Sequence, residues 1–389
     1  KQLDILAHLD VVPAGEGWQV TKPFEPAVKD GMLYGRGTAD DKGPAVAALY
    51  AMRAVKELGI TIKKNVRLIL GTDEECGSSD IRHYYEIEKE APMTFSPDGQ
   101  YPVVNVEKGR LEGHFTAEFQ ASDALPRLVK VEAGTKINVV PGKAKATVEG
   151  LELSVLEKAA EDVKEKTGIE FQFALQEAFC EITAVGAGSH ASRPEEGNNA
   201  ITGLLTLLCS LPFAPCPQIE CLKKTSALMP HGDVNGTTLG VDMEDKVSGR
   251  LTLAFSMLTV DKAGLDGQFD SRVSACGNEE NVLKVIKSKM AENGICLLND
   301  SMTPPHIVNE DSLLVKTLLS IYERYTGQKG ECLAIGGGTY VHDLKNGVAF
   351  GASMPGTENR MHGADEFAVV EELVTSAKMF AQAIVELCG

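Results

Sequence analysis

The sequence predicts an α/β protein of two domains. One is assembled from both ends of the chain, 1–108 with 305–389, around a mixed, largely parallel sheet flanked by helices. The other is an inserted α+β domain over 109–304. Three observations predict this. The 389 residues exceed what one compact core ordinarily holds. Strand-like apolar runs alternate with helix-period segments in the first hundred residues and again near the end of the chain. The character changes near Glu107–Arg110, and Pro304-Pro305 marks a second boundary. Apolar residues make up 43% and charged residues 24%, the ordinary mix of a globular protein.

Leu3–Ala7 is apolar except for Asp4 and reads as a buried strand. The chain starts inside this strand, so lead-in residues are expected to lie outside it. His8 and Asp10 close the strand, and alternation puts positions i and i+2 on one face. Val11–Gly17 is a Pro/Gly turn region. Tyr34–Pro44 reads Y-G-R-G-T-A-D-D-K-G-P, in which glycines permit a sharp turn and Pro44 suits the first turn of a helix. Ala45–Leu58 follows as that helix, with Ala48, Met52 and Val55 on one face. A second buried strand, Asn65–Leu70, runs into Gly71-Thr72-Asp73-Glu74-Glu75. Asp80–Glu90 reads as a polar-faced helix, and Pro97-Asp98-Gly99 as a tight turn.

In the insertion, Leu111–Phe119, Phe171–Val185 and Leu251–Leu258 read as strand regions. Ser154–Lys166 and Ala200–Leu208 read as helices, with Ser154 and Glu157 at capping-box spacing. Phe269–Arg272 falls in a polar segment. Beyond the boundary come a helix over Leu313–Tyr325, a glycine loop at Gly336–Gly338, a short strand at Ala349–Ala352, the Met361-His362-Gly363 turn and a last helix over Val370–Leu387.

Open α/β sheets gather ligands at the carboxyl ends of their strands. Three such ends within 75 residues carry His-x-Asp, Asp-Asp or Asp-Glu-Glu, which is hard to explain as solvated surface charge. Carboxylates packed that closely repel each other unless something positive lies between them. Lys42 is one candidate and a metal ion the other. The net charge of −17 argues against nucleic acid and anionic membrane as partners. No run approaches the twenty or so apolar residues of a membrane span. Nine cysteines without a C-x-x-C pair read as reduced, structural thiols of a cytoplasmic protein. The Cys209, Cys216 and Cys221 group has no histidine at finger spacing.

His8-x-Asp10, Gly35–Gly43 with Asp40-Asp41, Asp73-Glu74-Glu75, Pro97-Asp98 and Met361-His362 occur in the order of the di-zinc exopeptidase family, which the chain resembles over nearly its whole length. That family includes carboxypeptidase G, aminoacylase and acetylornithine deacetylase. Gly188–Pro194 with Gly197-Asn198-Asn199-Ala200 resembles its lid signature. The Ile335–Tyr340 glycine segment and the length of the insertion are most similar to bacterial PepV-type dipeptidases. Val341-His342 departs from the Ala-Arg usual there, and Phe269–Arg272 is a loose version of the family's arginine segment.

The resemblance implies two Zn²⁺ per chain, with Mn²⁺ or Co²⁺ acceptable to the same ligands. Asp40 would bridge the ions. His8 and Asp98 would complete one site, and Glu75 and His362 the other. Asp10 would orient His8, and Glu74 would act as general base toward water. His190, from the inserted lid, would stabilise the oxyanion. Asn138 and Arg272 would grip the substrate carboxylate, and the loop ending at Gly338 would offer backbone N–H groups. The implied activity is that of a metal-dependent dipeptidase, a hydrolase of the metalloprotease kind. The alternative is a deacylase of N-acyl amino acids, since both reactions are amide hydrolyses. A vestigial peptide-binding protein ranks last, because the base and all ligands are present. The implied partner is a small dipeptide, and the long lid suggests a monomer. His83, His114, His231, His306 and His342 read as structural or solvent-exposed, and Cys76 as packing.

Overall fold

The structure, a computed structural model, describes residues 2–389. It divides into two compact units, one made of the residues up to Glu107 with His306–Gly389, the other of Lys108–Pro305.

The first unit is built on a seven-stranded sheet. Along it run His306–Ile307, Val103–Glu107, Gly347–Ala349, Met93–Ser96, Leu3–His8 and Val66–Gly71, and Cys332–Ile335 also pairs with Val103–Glu107. Leu3–His8 is parallel to both neighbours, with Leu3 opposite Val66 and Met93, and His8 opposite Gly71. Val103–Glu107 pairs antiparallel with His306–Ile307 and Gly347–Ala349, so the sheet is mixed.

Cover on both faces of the sheet explains why Leu3–His8 is apolar but for Asp4 and His8 and why every one of its residues is buried. Leu3 and Ile5 face a core shared with Ala48 of the helix Lys42–Glu57, Leu318 of Leu313–Thr326 and Phe380 of Val370–Cys388. Leu6 faces the opposite side, against Ile69, Ile81 and Tyr340. Asp4, fully buried at the start of this strand, is matched by the Arg67 guanidinium at 2.5 Å and by the Tyr85 hydroxyl at 3.1 Å. Helix ends follow local chemistry. The Ser312 hydroxyl accepts the Val315 N–H at the start of Leu313–Thr326, and Gly327 ends it in the left-handed region.

The second unit carries an eight-stranded antiparallel sheet. Its order is Glu170–Gln176, Phe179–Val185, Lys143–Glu149, Arg127–Ala133, Thr252–Val260, Gly264–Val273, Gly109–Glu118 and Cys296–Leu297. Gly109–Glu118 alternates buried and less buried residues, as a sheet with one covered face requires. The helix Ala200–Ser210 lies in the core formed with Leu128, Ile182 and Leu253. Asn199 caps it, accepting the Ile201 N–H at 2.9 Å. Cys209, Cys216 and Cys221 pack against the same core as free thiols.

Several elements differ from expectation. The Ser154 capping box does not form, because the helix Leu153–Thr167 starts after Glu152 and Ser154 already lies inside its first turn. Phe171–Val185 is a hairpin of two strands, turned with Glu177 at φ 51°. Phe269–Arg272 belongs to the strand Gly264–Val273. Its polarity is local, since buried Asp270 and Arg272 bind each other at 2.6 and 2.9 Å. The helices Pro217–Leu228 and Lys284–Glu292 were not anticipated; each mixes its apolar positions with lysines that blur the 3.6-residue period.

Candidate metal centre

Parallel pairing brings the carboxyl ends of three strands to one edge of the first unit's sheet. His8 ends Leu3–His8, the Glu74–Cys76 turn follows Val66–Gly71, and Asp98 follows Met93–Ser96. Asp40 comes from the loop that enters the helix Lys42–Glu57. Gly37 in this loop adopts φ 85°, and a Cβ on Gly43 would stand 2.0 Å from the Thr38 carbonyl oxygen, so both positions require glycine. His362, also at positive φ (63°), comes from the turn before the last helix.

The carboxylate of Asp40 is the centre of the group. Its Oδ1 lies 2.9 Å from His8 Nε2, and its Oδ2 lies 2.9 Å from His362 Nε2. Asp98 Oδ2 is 3.7 Å from His8 Nε2, and Glu75 Oε1 is 3.3 Å from His362 Nε2. Two ligand clusters therefore share one residue: His8, Asp40 and Asp98, and Asp40, Glu75 and His362. A third grouping joins His8 to Glu74 and Glu75.

Lys42 does not neutralise this set, because its ammonium donates to the Leu9 carbonyl at 2.9 Å. Asp41 turns away and accepts the His8 main-chain N–H at 3.1 Å. Glu75 Oε1 is buried without a hydrogen-bond partner, which a cation would supply. Donor atoms on one tetrahedral ion are about 3.3 Å apart, given metal–ligand bonds of about 2.0–2.1 Å. The observed 2.9–3.7 Å separations fit that requirement. These acidic and imidazole groups could hold metal ions.

The metal-free electrostatics follow from the crowding. Burial acts against a charged His8, but the Asp40 hydrogen bond and nearby carboxylates outweigh it and raise its pKa to about 11. The hydrogen bond to Asp40, then the neighbouring Glu75 carboxylate at 3.3 Å, raises His362 to about 10. Burial, then the negative charge of Asp98, raises Glu74 to about 9. Burial and the charge of Asp40 raise Asp98 to about 7. Asp40 is held below the usual carboxylate range, since its bonds to the two histidines outweigh its burial. Each of these protons has to leave before its group can bind a cation.

Asp10 meets His8 more closely through its main chain than through its side chain. Its main-chain carbonyl is the nearer partner of His8 Nδ1, at 3.0 Å, and its carboxylate lies at 3.4 Å. The carboxylate mainly accepts the Glu74 and Glu75 main-chain N–H groups, at 3.3 and 3.0 Å. An Nδ1–H donated to that carbonyl leaves Nε2 free to act as a ligand.

In the second unit, the short strands Val139–Val140 and Ser189–His190 pair, with Val139 opposite His190. Asn138, which precedes them, accepts the Ala191 N–H on its carbonyl, so Asn138 and His190 are neighbours. The Ser192 N–H donates to His190 Nδ1 at 3.1 Å, which places the ring proton on Nε2. Arg272 is buried and held by Asp270. In the first unit, Gly338 lies beside Glu107, a buried carboxylate that accepts from the Thr339 N–H and hydroxyl and pairs with His342 at 2.9 Å. His342 therefore has a definite partner that the sequence did not disclose. No role was expected of Glu107, Asp270 or Glu366. Each lies inside or next to a strand, where no spacing marks it.

The chain matches the pattern of peptidase family M20/M25/M40 over residues 5–386. It belongs to that family. The Beta-Ala-Xaa dipeptidase of Lactobacillus delbrueckii subsp. lactis is 35% identical over 392 residues, covering all of this chain and 82% of that protein. The M20/M25/M40 fold is shared with solved structures at lower identity. The aminoacylhistidine dipeptidase from Vibrio alginolyticus aligns with a TM-score of 0.58 at 15% identity, covering all of this chain and 85% of that one. Human carnosine dipeptidase 1 aligns at 0.55 and 15% identity, covering all of this chain and 80% of that one. Among the described residues, no helix of this M20 chain is long and apolar enough to cross a membrane.

Proposed function

We propose that the chain is a metal-dependent dipeptidase, a hydrolase of short peptides, mainly dipeptides. The observation that carries this reading is the bridging geometry of Asp40, whose two oxygens each face one histidine at 2.9 Å. The relative whose name specifies a dipeptide substrate, at 35% identity, supports the substrate class. Two divalent ions are proposed, zinc first, with Mn²⁺ or Co²⁺ compatible with the same oxygen and nitrogen donors. When bound, such ions polarise the scissile carbonyl and lower the pKa of water toward about 7.

Asp40 would be shared between the ions. His8 and Asp98 would hold one, and Glu75 and His362 the other. Glu74 adjoins this set without being needed as a ligand. In the ionised form it would take a proton from water and deliver it to the departing amine. Asp10 keeps His8 Nε2 available and fixes the Glu74–Glu75 backbone. His190, with its proton on Nε2, is suited to donate to the developing oxyanion. Asn138 and Arg272 are proposed to grip the substrate's terminal carboxylate. Asp270 holds the arginine's Nε side, which orients the guanidinium. The loop at Gly338 is proposed to contribute backbone N–H groups to the substrate. A cytoplasmic monomer, with 109–304 acting as the lid of the 1–108 and 305–389 domain, completes the proposal.

The deciding experiment is turnover of a dipeptide panel against N-acetyl and N-succinyl amino acids, with and without chelator. Preference for dipeptides, abolished by chelation and restored by Zn²⁺, is expected. Preference for the acyl set would shift the assignment to a deacylase. A stable dimer in sedimentation would overturn the monomer.

A further inference from the structure

Glu366 is fully buried, four residues beyond His362, and lies outside every ligand cluster. Its carboxylate accepts the main-chain N–H groups of Gly37, Ala39 and Asp40, at 3.1, 2.9 and 3.2 Å. It also accepts Arg36 Nη1 at 2.5 Å. Arg36 is buried too, and its Nη2 reaches the carbonyls of Gly363 at 3.1 Å and Ala14 at 3.2 Å. The Trp18 indole N–H donates to that same Ala14 carbonyl, and its ring lies 5.3 Å from the guanidinium carbon.

One ion pair thus ties together three loops. The first follows the strand that carries His8, the second carries Asp40, and the third carries His362. A buried ion pair is a poor device for stability alone, because desolvation offsets most of its attraction. It is a good device for fixing positions. Three N–H groups converging on one carboxylate set the backbone of Asp40, and a guanidinium with carbonyl partners on two other loops sets their distance from it.

We propose that Glu366 and Arg36 are positioning residues that hold Asp40 and His362 in register, and so set the spacing of both ion sites together. The proposal rests on the di-metal reading. Because Asp40 is common to both clusters, moving its backbone disturbs both ions, whereas loss of an outer ligand disturbs one.

The test is zinc affinity of the metal-free chain, measured for each site by competition with a chelating indicator. The variants are Glu366→Gln, Arg36→Lys and the control Asp4→Asn. The control breaks a buried ion pair of the same unit at the far end of the first strand. Glu366→Gln and Arg36→Lys are expected to weaken zinc binding roughly 10- to 100-fold at both sites, as loss of groups that orient ligands does. Asp4→Asn is expected to leave zinc affinity unchanged although it lowers thermal stability. Unchanged affinity in a folded Glu366→Gln or Arg36→Lys protein overturns the proposal, and so does weakening at one site only, or equal weakening in Asp4→Asn. Should Glu366→Gln fail to fold, Arg36→Lys decides alone. A wild-type chain that binds no zinc overturns the di-metal reading, and this proposal with it. Normal wild-type binding with unaffected variants overturns only the proposal.

Discussion

Loading the metal-free protein with zinc should expel protons, and the site's chemistry sets how many. A ligand must be deprotonated before it binds. At pH 7, His8 (pKa about 11) and His362 (about 10) each carry a full proton, and Asp98 (about 7) carries half of one. Filling both sites therefore releases about 2.5 protons from the ligands. Glu74, held at about 9, adds one more if the ions lower its pKa below neutrality. The assay is calorimetric titration with Zn²⁺ at pH 7 in buffers of different ionisation enthalpy. The slope of observed heat against buffer enthalpy counts the protons. The product of the two association constants should also rise by about 2.5 decades per pH unit near pH 7, easing to about two once Asp98 is ionised. Release of fewer than one proton, or affinity flat between pH 7 and 9, would refute the assignment of His8 and His362 as ligands.

Stability of the metal-free protein should fall as pH rises from about 7 to 10. Native His8 and Glu74 hold protons above the values at which the unfolded chain gives them up, 6.5 and 4.5, so their contribution is lost as pH passes through about 11 and about 9. Thermal unfolding against pH checks this, and zinc should flatten the dependence. Glu74→Ala should cut dipeptide turnover by roughly 10²–10⁴-fold while zinc stoichiometry is kept. Near-normal turnover would mean that another group is the base. His190→Ala should lower kcat by roughly 10²–10³-fold with little change in zinc content, measured on the same dipeptide. Asp4→Asn removes the buried partner of Arg67 and leaves it the half-exposed Glu88 carboxylate at 3.3 Å, and should cost about 2 kcal/mol in urea unfolding. A loss below about 1 kcal/mol would show that water reaches Arg67 freely.

Much of this was legible in the linear chain because its signals are local. Apolar runs of strand length that end in His-x-Asp or Asp-Glu-Glu mark a carboxyl edge wherever the strands come to lie. The glycines around Asp40 disclose a tight turn because only glycine adopts φ 85° without strain. Polar strands were harder. Phe269–Arg272 reads only as a polar segment until Asp270 is seen neutralising Arg272. The Ser154–Glu157 spacing matched a cap, but the helix began two residues earlier than that pairing needs.

What the sequence alone determined is the inventory: acids and imidazoles at the ends of apolar runs, and strands and helices with approximate bounds. Only the tertiary structure decided who meets whom. It turned Lys42 to the Leu9 carbonyl, made the Asp10 carbonyl the nearer partner of His8, and placed Glu366 under Asp40 across more than three hundred residues. Such pairings depend on where folding carries the backbone, and a carboxylate buried beside distant N–H groups has no neighbour in the chain to announce it.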